Sequence, residues 1–184
     1  MTTFDYMGAR AYTSKHGLVI GGMWIASFAF FIMGLHHPLA GNLCLLAGLM
    51  SVVTAGWYIR RWRATFPLSF MQAVWMSLQF YVYASLLMAA AQYIYFRYMD
   101  NGMLADMVEQ AMNIPGYREM LAAMLPGEDI DTVTAQAVEN FRSSSPINTT
   151  VSLLFNNLML GVFLTLPTLL IGLTGKAGKK TQNQ

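Results

Sequence analysis

Two adjacent histidines, one cysteine, a pair of asparagines in an apolar stretch and eight carboxylates in the second half are the residues of this chain with chemistry to offer. Their spacing limits what they can do. A zinc site needs three or four convergent N, S or O ligands, and the side chains of the adjacent His36 and His37 point apart, with no third histidine or suitably spaced carboxylate beside them. A turn is the expected role for His36-His37-Pro38. Cys44 is the single cysteine, so no intramolecular disulfide can form, and its apolar neighbours predict a buried structural thiol rather than a reactive one. Asn148-Thr-Thr150 matches the glycosylation acceptor pattern, but it opens an apolar segment, where that chemistry is not expected. No catalytic, cofactor-binding or metal-ligating residue is predicted.

The elements that carry these residues explain why. Four segments, Gly17 to Leu35, Leu39 to Ile59, Phe70 to Phe96 and Ile147 to Leu173, contain no Asp, Glu, Lys or Arg. A hydrocarbon core about 30 Å thick takes about 20 apolar helical residues, so each segment is long enough to span a bilayer. Charged residues make up 11% of the 184 residues, against about 25% in soluble domains. The expected fold is all-α: a polytopic four-helix transmembrane bundle with a small helical periplasmic insertion between spans three and four. The first segment exceeds the roughly 7–15 residues of a signal-peptide core and lacks a clean small-x-small cleavage site, so it reads as a retained span. Proton relays, ion coupling and voltage sensing depend on buried ionisable groups, and an intramembrane enzyme needs a nucleophile–base pair or a metal; these segments offer neither.

Basic residues sort by side. Arg10 and Lys15 precede the first span, Arg60, Arg61 and Arg63 separate the second from the third, and Lys176, Lys179 and Lys180 follow the fourth. The connection from Arg97 to Pro146 holds three basic residues, Arg97, Arg118 and Arg142. The eight-to-three bias predicts cytoplasmic termini. Interfacial aromatics agree: Trp57, Tyr58 and Trp62 bracket the arginines, and Tyr93, Tyr95, Phe96 and Tyr98 gather at the far end of the third span. The resulting organisation is a cytoplasmic tail 1–16, a transmembrane hairpin 17–59, a basic cytoplasmic loop 60–69, a third span 70–96, an acidic, Met-rich periplasmic segment 97–146, a fourth span 147–173 and a basic cytoplasmic tail 174–184.

Helix starts are written into the chain. Ser69-x-x-Gln72 is a capping box, Ser145-Pro146 places a hydroxyl before a proline at the first helical position, and His37-Pro38 does so with a weaker cap. Within the spans, Gly17 and Gly21 form a GxxxG spacing, and Ala47, Ser51 and Ala55 form a small-xxx-small row. Such rows let helix backbones approach closely, here most simply within one chain rather than between chains. Asn42, Gln79, Gln92, Asn156 and Asn157 are neutral amides at membrane depth, expected to hydrogen-bond to neighbouring helices more readily than to line a hydrophilic path. Pro167 predicts a kink, with Thr165 and Thr168 near the freed carbonyl.

Between spans three and four, Met103, Met107, Val108 and Met112 fall on one helical face. Tyr117, Met120, Leu121 and Met124 repeat the pattern briefly after Pro115-Gly116. After Pro126-Gly127, Ile130, Val133, Thr134, Ala137, Val138 and Phe141 follow helical spacing, with acids at the start and Arg142 at the end. A segment this short cannot bury its stripes alone. They pack on one another, on the bundle or on a partner, and Met103, Met107, Val108, Met112, Val138 and Phe141 form the candidate partner surface.

Three pieces resemble the mainly Bacteroidetes family called domain of unknown function 4199. They are Lys15-His-Gly17-Leu-Val-Ile-Gly21, Arg63 with Pro67-Leu-Ser-Phe-Met-Gln-Ala73, and Tyr93-Ile-Tyr-Phe-Arg-Tyr98 with Asp100. The chain departs from the family pattern at Ala64, where an acid is expected, and at Asn101, where a proline is. The resemblance implies a bacterial inner-membrane location and transfers no catalytic residue. The functional expectation is a non-enzymatic scaffold or subunit of a membrane complex, in contact with the lipid bilayer and with a membrane-protein partner or a second copy, and with no nucleic acid or cofactor. The alternative is a small-molecule or lipid-handling channel or transporter component lined by the amides.

Overall fold

A computed structural model describes residues 5–34 and 38–174. His36, His37, Lys176, Lys179 and Lys180 lie outside the described residues. The fold is all-α, with seven helices among the described residues: α1 Tyr6–Gly34, α2 Pro38–Thr65, α3 Phe70–Tyr98, α4 Met103–Met112, α5 Pro115–Met124, α6 Ile130–Ser143 and α7 Pro146–Leu173. Four of them, α1, α2, α3 and α7, are long and apolar enough to cross a membrane. At 1.5 Å per residue their 28–29 residues run about 42–44 Å, longer than a hydrocarbon core.

Local chemistry sets the ends. Helix α1 starts at Tyr6, eleven residues before the apolar run, because Asp5 caps it: its carboxylate accepts the Gly8 amide at 2.9 Å. Helix α2 continues through Arg60, Arg61 and Arg63, so these arginines sit on its last two turns and not in a loop. Ser69 and Gln72 close their capping box at α3, with the Ser69 amide donating to Gln72 Oε1 at 2.8 Å and the Gln72 amide to Ser69 Oγ at 3.3 Å. Pro146 opens α7, and Ser145 Oγ accepts the Asn148 amide at 3.4 Å.

The chain divides into two compact units. The first contains the residues up to Ala91 and those from Leu153 onward. Here small residues set several of the helix contacts, and Tyr58 of α2 also meets Phe80 of α3, with ring centroids 6.1 Å apart. Helices α1 and α2 pair antiparallel: Ser27 Oγ donates to the Cys44 carbonyl at 2.9 Å, Trp24 Nε1 to Ser51 Oγ at 3.0 Å and Tyr12 Oη to the Tyr58 carbonyl at 3.1 Å. Helices α1 and α3 run parallel. A Cβ built on Gly17 would lie 2.8 Å from Tyr83 Cβ, and one on Gly21 would lie 3.1 Å from Ala84 Cα. Helices α2 and α7 are also parallel and exchange glycines: Gly56 lies under Ile171, and Gly172 lies under Ile59. Gly161 of α7 seats Tyr81 of the antiparallel α3. The core between them is Ile20, Trp24, Ala55, Ile59, Phe80, Tyr81, Ala84 and Leu169.

The second unit, Gln92–Ser152, holds α4, α5 and α6. Gly102 and Gly127 take the left-handed conformation, φ 87° and 93°, at the turns before α4 and α6, where a side chain would be strained. Among the described residues, Ala105 and Val138 are the buried apolar side chains of these three helices. Two arginines tie the helices together. Arg142 of α6 reaches Asp106 and Glu109 of α4, each at 2.9 Å, and Arg118 of α5 pairs with Asp131 of α6. All three ion pairs are solvent-exposed, so each contributes about 0–1 kcal/mol.

Candidate functional site

Inside the first unit, buried hydroxyls and aromatic rings meet between helices. Tyr81 Oη lies 2.5 Å from Thr168 Oγ1, and Ser77 Oγ donates to Thr165 Oγ1 at 3.3 Å. Tyr81, Ser77 and Thr168 are fully or almost fully buried, and Thr165 nearly so. Thr165 in turn donates to the Gly161 carbonyl at 3.0 Å, the bond a threonine makes to the preceding turn of its own helix. The Trp24 ring stacks on Tyr81 with centroids 5.8 Å apart, and its indole N–H reaches Ser51. Each hydroxyl or indole in this seam spans two helices at a point where water is excluded. Sequence reasoning placed Ser51 in a packing row but gave no role to Trp24, Ser77 or Tyr81, because periodicity does not report which helices become neighbours.

The five amides differ in exposure. Gln92 is buried, Gln79 and Asn157 are partly buried, and Asn42 and Asn156 are exposed on the outside of α2 and α7. Of the packing residues, Gly17 and Gly21 face α3, Ser51 and Ala55 are fully buried, and Ala47 is partly buried. Cys44 is partly buried beside Ser27.

One titratable side chain that the sequence reading passed over lies close to this seam, where Tyr12 meets Phe80. His16 packs between the rings of Tyr12 and Tyr58, with centroids 4.0 and 4.2 Å away, and its Nδ1 lies 2.8 Å from the Tyr12 carbonyl. A carbonyl only accepts, so Nδ1 carries the proton. Trp62 closes the cluster against Tyr12 at 4.9 Å. Nearby, Arg63 of α2 donates to the Leu173 carbonyl at the end of α7, at 2.5 Å; a cation at a helix C-terminus satisfies a carbonyl that the helix leaves free. No nucleophile–base pair is formed by these contacts, and the Lys15-His16-Gly17 triplet was the only local signal for His16.

In the second unit, Val138 is buried, while Met103, Met107, Val108, Met112 and Phe141 are partly buried. Helices α4 and α6 pack on each other. Within α4 to α6, the large apolar side chains left exposed among the described residues are those of α5 and its flanks: Ile114, Tyr117, Met120, Met124 and Leu125. A cavity of 330 Å³ opens between Glu109, Asn113, Arg118, Asp131, Glu139 and Arg142. Its two arginines are engaged by the carboxylates already described. Asp129, the N-cap of α6, accepts from the Asp131 amide at 3.2 Å and from Thr132 Oγ1 at 2.6 Å. These hydrogen bonds, the Thr132 hydroxyl foremost, hold its carboxyl below the usual range. Among the described residues, no group of three His, Cys, Asp or Glu side chains is placed to hold a metal ion.

Four long apolar helices closed around a hydroxyl-and-aromatic seam, with a three-helix insertion before the last, define a polytopic helical bundle of the membrane-protein type. The chain belongs to the family described as protein of unknown function (DUF4199), whose model matches residues 15–172. No curated protein and no solved structure matches it.

Proposed function

We propose that this protein is a non-enzymatic subunit or scaffold of a membrane complex, resident in a bacterial inner membrane with both termini cytoplasmic. The observation that carries the reading is where the polar groups go. The interior hydroxyls of Ser51, Ser77, Tyr81, Thr165 and Thr168 are engaged with one another or with Trp24, while Asn156 faces outward from a span. A transporter places its polar groups around a path inside the bundle; a subunit keeps the inside closed and presents polar groups outward, where they hydrogen-bond to another helix. With no Asp, Glu, Lys, Arg or His between residues 17 and 35, 39 and 59, 70 and 96 or 147 and 173, the spans also lack the carboxylates, amines and imidazoles that proton-coupled cycles use.

The test is reconstitution. Purified protein in liposomes should give no uptake of tested metabolites under an imposed pH gradient, while mild-detergent extraction from its native membrane retains a stoichiometric protein partner or a second copy. Reproducible gradient-driven uptake would overturn the subunit reading in favour of a path lined by amides. For the orientation, in a Cys44→Ala background a cysteine at Asn113 should label from outside and one at Thr65 only after permeabilisation. External labelling at Thr65 would reverse the topology.

A further inference from the structure

Helix α7 carries a heptad row on its outward face. Asn156, Met159, Phe163, Leu166 and Leu170 are separated by three, four, three and four residues, the a-d-a-d-a spacing of a coiled-coil seam. All five are exposed: Met159 by 58%, Phe163 and Leu166 by 66% and Leu170 by 67%, with Asn156 in the same class. The opposite side of the helix is the one spent on the bundle, through Gly161, Thr165, Thr168, Leu169 and Gly172.

Four of the five residues are what hydrocarbon requires of a lipid-facing stripe. Asn156 is not. It lies ten residues past Pro146, about 15 Å along the helix, which is about the middle of a 30 Å core. A primary amide there offers two donors and a carbonyl, and leaving them without partners in hydrocarbon costs several kcal/mol.

We propose that the occupant of this face is a second copy of the same chain, docked α7 against α7 about a two-fold axis along the membrane normal. The proposal rests on the membrane-subunit reading above and names its partner. Three features select a like copy. Copies inserted with one topology have α7 parallel, so an axis normal to the bilayer places the two Asn156 side chains at equal depth, facing each other. An amide is its own complement, since the NH2 of one donates to the carbonyl of the other and the reverse. And Asn at a single a position within an otherwise apolar a/d row is the arrangement that fixes register and a two-stranded state in parallel coiled coils. The bulky Met, Phe and Leu positions call for left-handed, knobs-into-holes crossing rather than the close approach of a glycine motif.

The test uses the full chain in membranes, in a Cys44→Ala background. A Met159→Cys variant should form a disulfide-linked dimer on mild oxidation, because d positions face each other in a parallel pair. A Leu86→Cys variant, on the exposed face of α3, should not. Adding Asn156→Leu to Met159→Cys should weaken association roughly three- to tenfold, read by energy transfer between labelled copies as lipid is diluted in, whereas Asn156→Gln keeps most of it. Because Asn156 faces away from the bundle, Asn156→Leu should leave the thermal unfolding of the monomer unchanged, which separates loss of association from loss of fold. Equal cross-linking at positions 86 and 159, or undiminished association of the Asn156→Leu variant, would overturn the homodimer. Monomers that still co-purify with a different membrane protein would overturn it while leaving the subunit reading in place; monomers with no partner would end both.

Discussion

Replacing Gly56 by alanine tests the account of how α2 and α7 meet. The added Cβ would stand 2.6 Å from Ile171 Cγ2, 2.7 Å from Ile171 Cβ and 3.1 Å from the Thr168 carbonyl oxygen. Carbon atoms settle at about 3.5–4.0 Å, so the shortfall is about 1 Å. Ile171 cannot swing clear: one of the offending atoms is its own Cβ, fixed to the helix, and β-branching holds its χ1. The helices must therefore separate, loosening the reciprocal contact of Gly172 with Ile59 as well as the Arg63 bond to the Leu173 carbonyl. Overpacking of this kind costs about 1–3 kcal/mol, and alanine returns up to about 1 kcal/mol through its better helix propensity. The net expectation is a loss of about 1–2 kcal/mol, measured by reversible unfolding in mixed micelles. Gly22 is the internal control. Nothing lies within 4 Å of the corresponding Cβ, so Gly22→Ala should be neutral or slightly stabilising. Adding Ile171→Gly to Gly56→Ala moves the knob to the other helix, and the pair should couple favourably by at least about 0.5 kcal/mol. If Gly56→Ala matched Gly22→Ala, or if the double variant were merely additive, the parallel α2–α7 contact would be wrong.

Two further outcomes are expected. Tyr81→Phe leaves the Thr168 hydroxyl buried without its partner, so it should destabilise the bundle by about 1 kcal/mol, with Tyr81→Phe/Thr168→Val recovering part of that loss; an additive loss in the double variant, seen by the same unfolding assay, would remove the hydrogen bond from the account. Because the folded-state pKa of Asp129 is depressed, its cap is fully effective above the ordinary carboxylate range, near pH 4, and is lost as pH falls through the lower folded value. Hydrogen exchange at the Asp131 amide should accelerate on acidification across that window, and Asp129→Asn should abolish the acceleration while keeping a cap.

How far the sequence announced this depends on the range over which each signal acts. Ser69 with Gln72, and Ser145 with Pro146, are local chemistry and mark helix starts that the structure has in the same places. The start of α1 was hidden because Arg10 and Lys15 suggested where hydrocarbon ends, and a helix does not stop at that plane when Asp5 caps it twelve residues before the apolar run. The GxxxG spacing of Gly17 and Gly21 says that something approaches closely; only three-dimensional neighbours reveal that it is α3. The Tyr81–Thr168 and Arg63–Leu173 bonds join residues 87 and 110 positions apart, and no periodicity carries information over that distance. In the second unit, α4 and α6 have stripes that read clearly, and these pack on each other; among the three short helices the exposed large apolar side chains are those of α5 and its flanks, whose single short repeat gave the faintest signal.

The pairing of helices in the first unit has a consequence for how the protein is made. Its two parallel seams, α1 with α3 and α2 with α7, join helices that are not consecutive in the chain. As the ribosome delivers α1 and α2, their hairpin closes at once through Ser27 and Trp24, but the grooves at Gly17, Gly21 and Gly56 stay open until later helices arrive. Tyr81 then waits with its hydroxyl unpaired until Thr168, in the fourth span, reaches it. A nascent chain halted between α3 and α7 therefore has the Gly17 and Gly21 grooves filled but leaves the Gly56 groove empty and the Tyr81 phenol unpaired, two defects that only the last span repairs together.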